Sequence, residues 1–425
     1  MNVDDLVAAF LNCGRHRRVC ILDSCGVGHL GSRYLFAGAD PAETFEYKGL
    51  DPEEAVSNFE TFLQKGRAVI FTLGYDIGLA LNKIPSRHRN VPNEPLIYAA
   101  AFEALAVHDY VSRETTVTGN ARAGDGLRNL IDEQGFRPDP EATALRYFSN
   151  FTPDEYAAAI LKIQERIRAG DTYQTNLTRK VTAELPDALA PQHIFWKLRK
   201  DHPAPFAAFL SRDDSTVISA SPERFFRIEN GIISTSPIKG TRPRGRTTVE
   251  DVKLRDELLS SQKDRAENTM IVDLLRNDLG RVCEFGSVRV ERLCEIEEHP
   301  SLYHLVSTIK GELRQQTTIP DVIRALFPCG SITGAPKIST MRLIDEIERS
   351  ARGLSMGAIG IYMPASFGMS EFVDTSVAIR TMTVRGRTAE FNVGGGIVID
   401  SEPLSEYQET VTKSIALLSS LGLTL

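Results

Sequence analysis

RFFRIENGIISTSPIKG, residues 224–240, is the stretch on which the fold class turns. Two apolar runs, FFRIE and IIST, flank Asn230-Gly231. Asn-Gly between such runs is the strongest short-range hairpin signal, because both residues accept the positive φ of a tight turn. The second run stops at Pro237, and Lys239 then stands between an apolar residue and a glycine, with Arg242 and Arg244 just beyond. Lysine is almost never fully buried without a partner, so this amine is either a solvated turn residue or a working group.

Outward from the hairpin, strand-like runs fall at 205–211, 215–220, 287–298, 304–313, 356–363, 372–384 and 388–399, with helical periodicity near 249–279, 318–327, 335–351 and 403–420. TPDEYAAAILKIQERIRAGD predicts a further helix, with Thr152 as N-cap, Pro153 at the first position and Gly170 as its stop. Tyr156, Ile160, Ile163 and Ile167 form its apolar stripe. Within 1–117, RVCILDS (18–24), RAVIFTLG (67–74) and PLIYAAAFEALAVHD (95–109) are strand-like, and 51–64 reads as a helix with Ala55, Phe59, Phe62 and Leu63 on one face. Strands meet strands without regular βαβ alternation, so the class is α+β with largely antiparallel sheets. Residues 118–147, rich in Gly, Asp, Pro and charge, read as a linker or surface excursion. It divides an N-terminal α/β segment, 1–117, from a larger unit, 148–425.

The 425 residues are 42% hydrophobic and 25% charged, a globular composition. A net charge of −7 argues against nucleic acid as the main partner. No run of 18 apolar residues offers a membrane span, and the N-terminus lacks the basic-then-apolar order of a signal peptide. Cys13, Cys20, Cys25, Cys283, Cys294 and Cys329 show no C-x-x-C spacing, so reduced thiols in a cytoplasmic protein are expected rather than zinc.

Several constellations can carry chemistry. Across the hairpin, antiparallel return brings Glu223 close to Lys239, either as a surface ion pair or as an acid beside an amine. Glu267 precedes an apolar helical run, and Glu406 and Glu409 lie three apart on one helical face. Carboxylates so placed suit either a hard divalent cation or a solvated first turn. FPCGSITGAPK (327–337) sets Gly330, Ser331, Thr333 and Gly334 ahead of a helix, where backbone N–H groups favour an anion; it is not a P-loop. NVGGGIVIDS (392–401) permits close backbone approach to a ligand or marks a bulge. Arg380 interrupts an apolar strand, as an arginine meeting a carboxylate of the protein or of a ligand does. His304 by itself reads as a structural histidine. Together these point to a dianionic carboxylate substrate, a divalent metal and an amine nucleophile.

SPERF, PIKGTRPRG, DRAENTMIVDLLRNDLGRV, HLVSTI, PCGSITGAPK, TSVAIRT, GGGIVIDS and EYQET, in this order, resemble the chorismate-utilising enzymes. The likeness is dense over 150–420 and looser at CILDS and GYDIG. It implies two largely antiparallel sheets packed as a central sandwich with flanking helices, with 148–425 as the chorismate-binding catalytic domain and 1–117 as a candidate regulatory region. It also implies Mg²⁺ between Glu267 and Glu409, with Glu406 nearby, and substrate contacts at Thr241, Ser331, Thr333, Gly334, Lys337, Arg380, Gly394, Gly395 and Gly396, the partner of Lys337 being a carboxylate or a glutamate. Glu223 matches the family's general acid/base, and His304 a histidine that faces the ring.

Within the family, PIKGT resembles the aminodeoxychorismate synthase branch, whereas anthranilate synthases carry PIAGT. The implied role of Lys239 is attack at C2 of chorismate as the C4 hydroxyl departs, with ammonia then entering at C4. Desolvation and the cations nearby, Arg242, Arg244 and Mg²⁺, favour the neutral amine that this needs. Gln174 stands where isochorismate and salicylate synthases carry a lysine base, which disfavours that branch. Ile361 occupies a position where the family often has tyrosine. Without a G-x-C-x-G segment, the implied source of ammonia is a separate glutamine amidotransferase subunit, and without a lyase domain the implied product is 4-amino-4-deoxychorismate. The alternative, anthranilate synthase component I, is disfavoured by Lys239 and by the partial match of Leu22-Asp23-Ser24 to an L-L-E-S segment. A catalytically silent subunit is disfavoured because Glu223, Lys239, Glu267 and Glu409 are all retained.

Overall fold

The structure, a computed structural model, describes residues 2–27, 32–88, 94–132, 143–299 and 302–423. Asn230 and Gly231 take φ of 53° and 74°, so the chain turns back tightly and pairs Glu229 with Ile232. That hairpin lies inside a sheet whose order is Ile238–Pro243, Leu302–Glu312, Ile232–Ser236, Arg224–Glu229, Phe372–Val377, Ala358–Met363, Ala68–Leu73, Ile97–Phe102 and Glu43–Tyr47, with Arg289–Glu298 also on Leu302–Glu312. A second sheet runs Gly334–Ala335, Gln174–Glu184, Thr388–Ile397, Thr381–Arg385, Thr216–Ser221, Phe206–Ser211, Val19–Asp23, Tyr34–Ala39, Ala104–Asp109 and Glu114–Gly119, with Arg146–Ser149 also on Gln174–Glu184. Every named strand pairing among the described residues is antiparallel, as expected for the α+β class.

The sheets pack face to face over a core drawn from both: Phe36, Leu105, Val107 and Leu210 from one, Ile70, Tyr98, Phe102 and Ile361 from the other. Burying each such side chain contributes roughly 1.5–3 kcal/mol. Helices cover the outer faces. Val3–Cys13, Ala121–Asp132, Pro191–Asp201 and Pro403–Ser420 close one side, and Pro52–Leu63, Gln262–Gly280 and Ile319–Leu326 close the other. The expected sandwich with flanking helices is what forms. No helix is long and apolar enough to cross a membrane among the described residues.

The segment boundaries differ from expectation. Strands from 1–117 enter both sheets, and Ile21 pairs with Phe209 while Ile70 pairs with Ile361, so this segment shares its sheets with the rest of the chain. The stretch 118–147, expected as a linker, contains the helix Ala121–Asp132 and the strand Arg146–Ser149, while 133–142 lies outside the described residues. Its glycines and charges lie around a narrow apolar stripe, Leu127, Leu130 and Ile131, which is buried against the N-terminal helix and the sheet. The single helix expected at 249–279 is two, Thr248–Ser260 and Gln262–Gly280, divided at Ser261, whose hydroxyl caps the second by accepting from Asp264 N at 3.2 Å.

Three apolar runs cross between the sheets. Ile97–Phe102 and Ala104–Asp109 lie in different sheets, as do Thr216–Ser221 and Arg224–Glu229, and Phe372–Val377 and Thr381–Arg385. Strands that change sheet make the corners of a sandwich. Two of these corners carry Glu223 and Arg380. Leu127→Ala is expected to lower unfolding free energy by about 2–4 kcal/mol in urea titration, as a buried core leucine does; a linker residue would change it by less than about 0.5 kcal/mol.

Candidate active site

Glu223 sits on the turn between Thr216–Ser221 and Arg224–Glu229. Its carbonyl accepts from Val377 N at 3.0 Å, and Arg380 O accepts from Ala220 N at 3.0 Å, so the two corners brace each other. Glu223 is 4% exposed, and its Oε1 has no hydrogen-bond partner. Burial pushes its carboxyl up from 4.5 to about 6, against the opposing pull of the Lys239 charge, Ser331 and the Ile238 backbone. Lys239 stands close enough for its charge to act on the Glu223 carboxyl, and Glu223 is buried rather than part of a surface ion pair.

Lys239 lies where the Ile238–Pro243 strand loses register with Leu302–Glu312, between the pairs Ile238–Val306 and Thr241–His304. The irregularity depends on Gly240, at φ 80°, where a Cβ would approach Leu258 Cδ1 to 2.8 Å. The bulge directs the lysine inward, and its Nζ donates to Ser331 O at 3.3 Å. Arg242 and Arg244, expected beside the amine, are engaged elsewhere: Arg242 with Asp264 at 3.2 Å and Arg244 with Asp251 at 2.6 Å. Thr241 Oγ1 and His304 Nδ1 are 2.8 Å apart, and the buried His304 ring packs edge-on against His299.

The 327–337 loop forms the opposite wall. Thr333, expected as a substrate contact, donates its hydroxyl to Cys329 O at 3.0 Å, within the loop itself. Lys337, also expected there, is buried and donates to Asp278 Oδ2 at 2.6 Å and Leu326 O at 2.7 Å, so it clamps the loop to the helix Gln262–Gly280. Gly334 pairs with Thr175, and Ser331 is the loop residue that meets the lysine. Gly394, Gly395 and Gly396 lie in the Thr388–Ile397 strand, paired with Thr178, Leu177 and Asn176. A Cβ at Gly396 would fall 2.1 Å from Gln174 Nε2, so only glycine admits that side chain. Gln174 is buried with neither amide atom partnered, and Asn176 Nδ2 is also unpartnered. Sequence reasoning used Gln174 only to separate branches and missed Asn176, although both stand in the QTNL segment.

Arg380 takes φ 49° at its corner. Burial pushes its guanidinium down, and no carboxylate pairs with it among the described residues. Ile361, where tyrosine was expected, is buried between the sheets, and Tyr362 points to Glu371 instead. Leu22-Asp23-Ser24 lines a separate inter-sheet cavity with Phe206, Arg227, Ile361 and Asp374, and Glu223, Lys239 and Arg380 are not part of its lining.

Glu267, Glu406 and Glu409 approach from the helices Gln262–Gly280 and Pro403–Ser420. Burial raises the Glu267 and Glu406 carboxyls; Lys239 opposes the first and the Ser401 hydroxyl, at 2.7 Å, opposes the second. Burial also opposes ionisation of Glu409, yet Lys413 at 2.6 Å holds its carboxyl below the usual range. No three metal-ligating side chains form a ready cage among the described residues. The donor set nonetheless fits magnesium, which takes a few hard carboxylate oxygens and completes its shell with water and substrate.

Because folding raises the Glu223 carboxyl, the folded state binds that proton more tightly than the unfolded chain. This stability is present below pH 4.5 and lost as pH rises through about 6. Glu223→Gln is expected to lack the loss, gaining about 2 kcal/mol over wild type between pH 4 and pH 7.5 in denaturant titrations.

The profile described as chorismate binding enzyme matches residues 19–419. The chain is 35% identical over 408 residues to aminodeoxychorismate synthase component 1 of Bacillus subtilis (strain 168), covering 92% of this chain and 84% of that one. It is 37% identical over 352 residues to anthranilate synthase component 1 of Aquifex aeolicus (strain VF5), covering 82% and 68%. The crystal structure of anthranilate synthase component I from Streptococcus pneumoniae TIGR4 superposes with a TM-score of 0.78 at 27% identity, covering 92% of this chain and 93% of that one. Matched over nearly its whole length, the chain belongs to the chorismate binding enzymes.

Proposed function

We propose that this enzyme aminates chorismate at C4, as an aminodeoxychorismate synthase component 1, with Lys239 as nucleophile and Glu223 as acid/base. The observation that carries the reading is the Lys239 amine, led inward by the bulge at Gly240 to Ser331 O at 3.3 Å, beside a buried Glu223 whose carboxyl is pushed up to about 6. In the first step the Lys239 nitrogen bonds to C2 and the two ring double bonds shift toward C4. The C4–O bond breaks, and the hydroxyl leaves as water on the Glu223 proton. Ammonia then bonds to C4, the double bonds shift back, the C2–N bond breaks to return the lysine, and the proton shed by the new C4 ammonium restores the Glu223 carboxyl. Chorismate and ammonia become 4-amino-4-deoxychorismate and water, the precursor for 4-aminobenzoate and folate.

A magnesium ion held by Glu267, Glu406 and Glu409 would supply positive charge for the ring carboxylate. Arg380, with no protein carboxylate of its own among the described residues, suits the second carboxylate of the substrate. The naming of the similar proteins as component 1 supports a partner component; we assign it as a glutamine amidotransferase that delivers ammonia, with both in the cytoplasm. Gln174 stands where the hydroxylating branch carries a lysine base, and a glutamine cannot deprotonate water, which disfavours that branch.

Purified enzyme with chorismate, Mg²⁺ and concentrated ammonium is expected to release 4-amino-4-deoxychorismate, identified by mass and ultraviolet spectrum. Lys239→Ala is expected to abolish the product, and Glu223→Gln to slow it by about 10²-fold or more. Fluorescent anthranilate from the wild type would overturn the assignment in favour of anthranilate synthase component 1.

A further inference from the structure

Three charged side-chain ends converge over one glycine. A Cβ at Gly395 would lie 3.3 Å from Glu406 Oε2, 3.7 Å from Glu409 Oε1 and 3.9 Å from Lys413 Nζ. Lys413 is one helical turn beyond Glu409; its ammonium meets that carboxylate at 2.6 Å and donates to Gly394 O at 3.2 Å. Glu406 accepts Ser401 on Oε1, which leaves Oε2 toward the glycine. Lys263 and Lys239 act on Glu409 only through space. Lys413 is therefore the cation seated between the carboxylates and the glycine strand.

Two carboxylates three apart on a helix repel, and an ammonium four residues on relieves the strain. A divalent cation bonded to the same oxygens carries twice the charge and draws more from them than an ammonium does. The two cations repel each other, so a divalent ion drawn to the Glu409 oxygen that the ammonium holds weakens that pair. The pair is half-exposed, with side chains 42% and 50% accessible, so its own strength is modest and exchange is easy.

We propose that Lys413 is an exchangeable counter-ion, which holds Glu409 in the metal-free enzyme and is displaced when a divalent cation binds there. This rests on the reading of Glu267, Glu406 and Glu409 as the metal's ligands. Metal affinity then includes the cost of breaking the pair, and metal binding frees the lysine amine.

Mn²⁺ binding without chorismate, followed by electron paramagnetic resonance of free Mn²⁺, tests this on wild type, Lys413→Met and Lys263→Met. Lys263 makes no hydrogen bond or ion pair with these carboxylates among the described residues, so its variant removes a nearby charge without removing the contact. Lys413→Met is expected to bind Mn²⁺ about threefold tighter than wild type, and tighter than Lys263→Met. Mn²⁺ is also expected to speed acetylation of Lys413 by dilute acetic anhydride about threefold, read by peptide mass spectrometry. If wild type binds Mn²⁺ but Lys413→Met binds no tighter than Lys263→Met, or labelling is unchanged, the exchange is overturned while the metal site stands. If none of the three binds Mn²⁺, the metal site itself falls and the exchange with it.

Discussion

One buried guanidinium ties the walls of the site together. Arg352 donates to Ile332 O at 2.9 Å in the 327–337 loop, to Asn176 O at 2.7 Å in the Gln174–Glu184 strand, and to both oxygens of Glu348. It also stacks on the Tyr75 ring at 4.6 Å. Glu348 in turn accepts from Thr178 N at 2.7 Å, so the pair is satisfied on both sides. Breaking such a pair by removing one partner leaves an uncompensated buried charge and costs about 3–5 kcal/mol. Its importance lies in where the donors point: Ile332 adjoins Ser331, whose carbonyl holds Lys239.

The second constraint is the pair of corners at which strands change sheet. A residue on a regular strand of a sandwich points into a core or toward the outer layer. A residue on a corner points along the end of the sandwich, where the sheets part. Glu223 and Arg380 both sit there, one anionic and one cationic, fixed by the reciprocal backbone bonds of Ala220 and Val377. The Lys337–Asp278 pair closes the third side by fixing the loop to a helix that also carries Glu267. The scaffold pairs Lys337–Asp278 and Arg352–Glu348 are satisfied, whereas Glu223 Oε1 has no hydrogen-bond partner and Arg380 has no carboxylate partner among the described residues.

That division has an energetic meaning. A buried polar group without a partner costs stability, and the orphaned amides of Gln174 and Asn176 add to the cost of Glu223. The strands and helices around them offset it with apolar cores on both sides of each sheet. The site is thus a place where folding is locally unfavourable and a polar ligand has groups to satisfy.

Local features were legible from the chain alone. Asn230-Gly231 dictates its turn because both residues tolerate positive φ, and Thr152 caps its helix as read, with Glu155 completing a box in the structure. The motif around Lys239 and the carboxylates of EYQET were visible as residue types in order. The helix at 121–132 was not, because three apolar residues among glycines and charges acquire meaning only against the surface they cover. Nor were the corners: 95–109 and 372–384 read as continuous strands because both parts of each run are buried, and periodicity carries no mark of a change of sheet. The partners of Thr333 and Lys337 were not legible either, since Cys329 O and Asp278 are brought to them only by the fold. The sequence determined which chemical groups exist and the local turns that hold them. Tertiary structure decided which are paired and which remain open, since that depends on partners such as Asn176 and Arg352, which lie far apart in the chain.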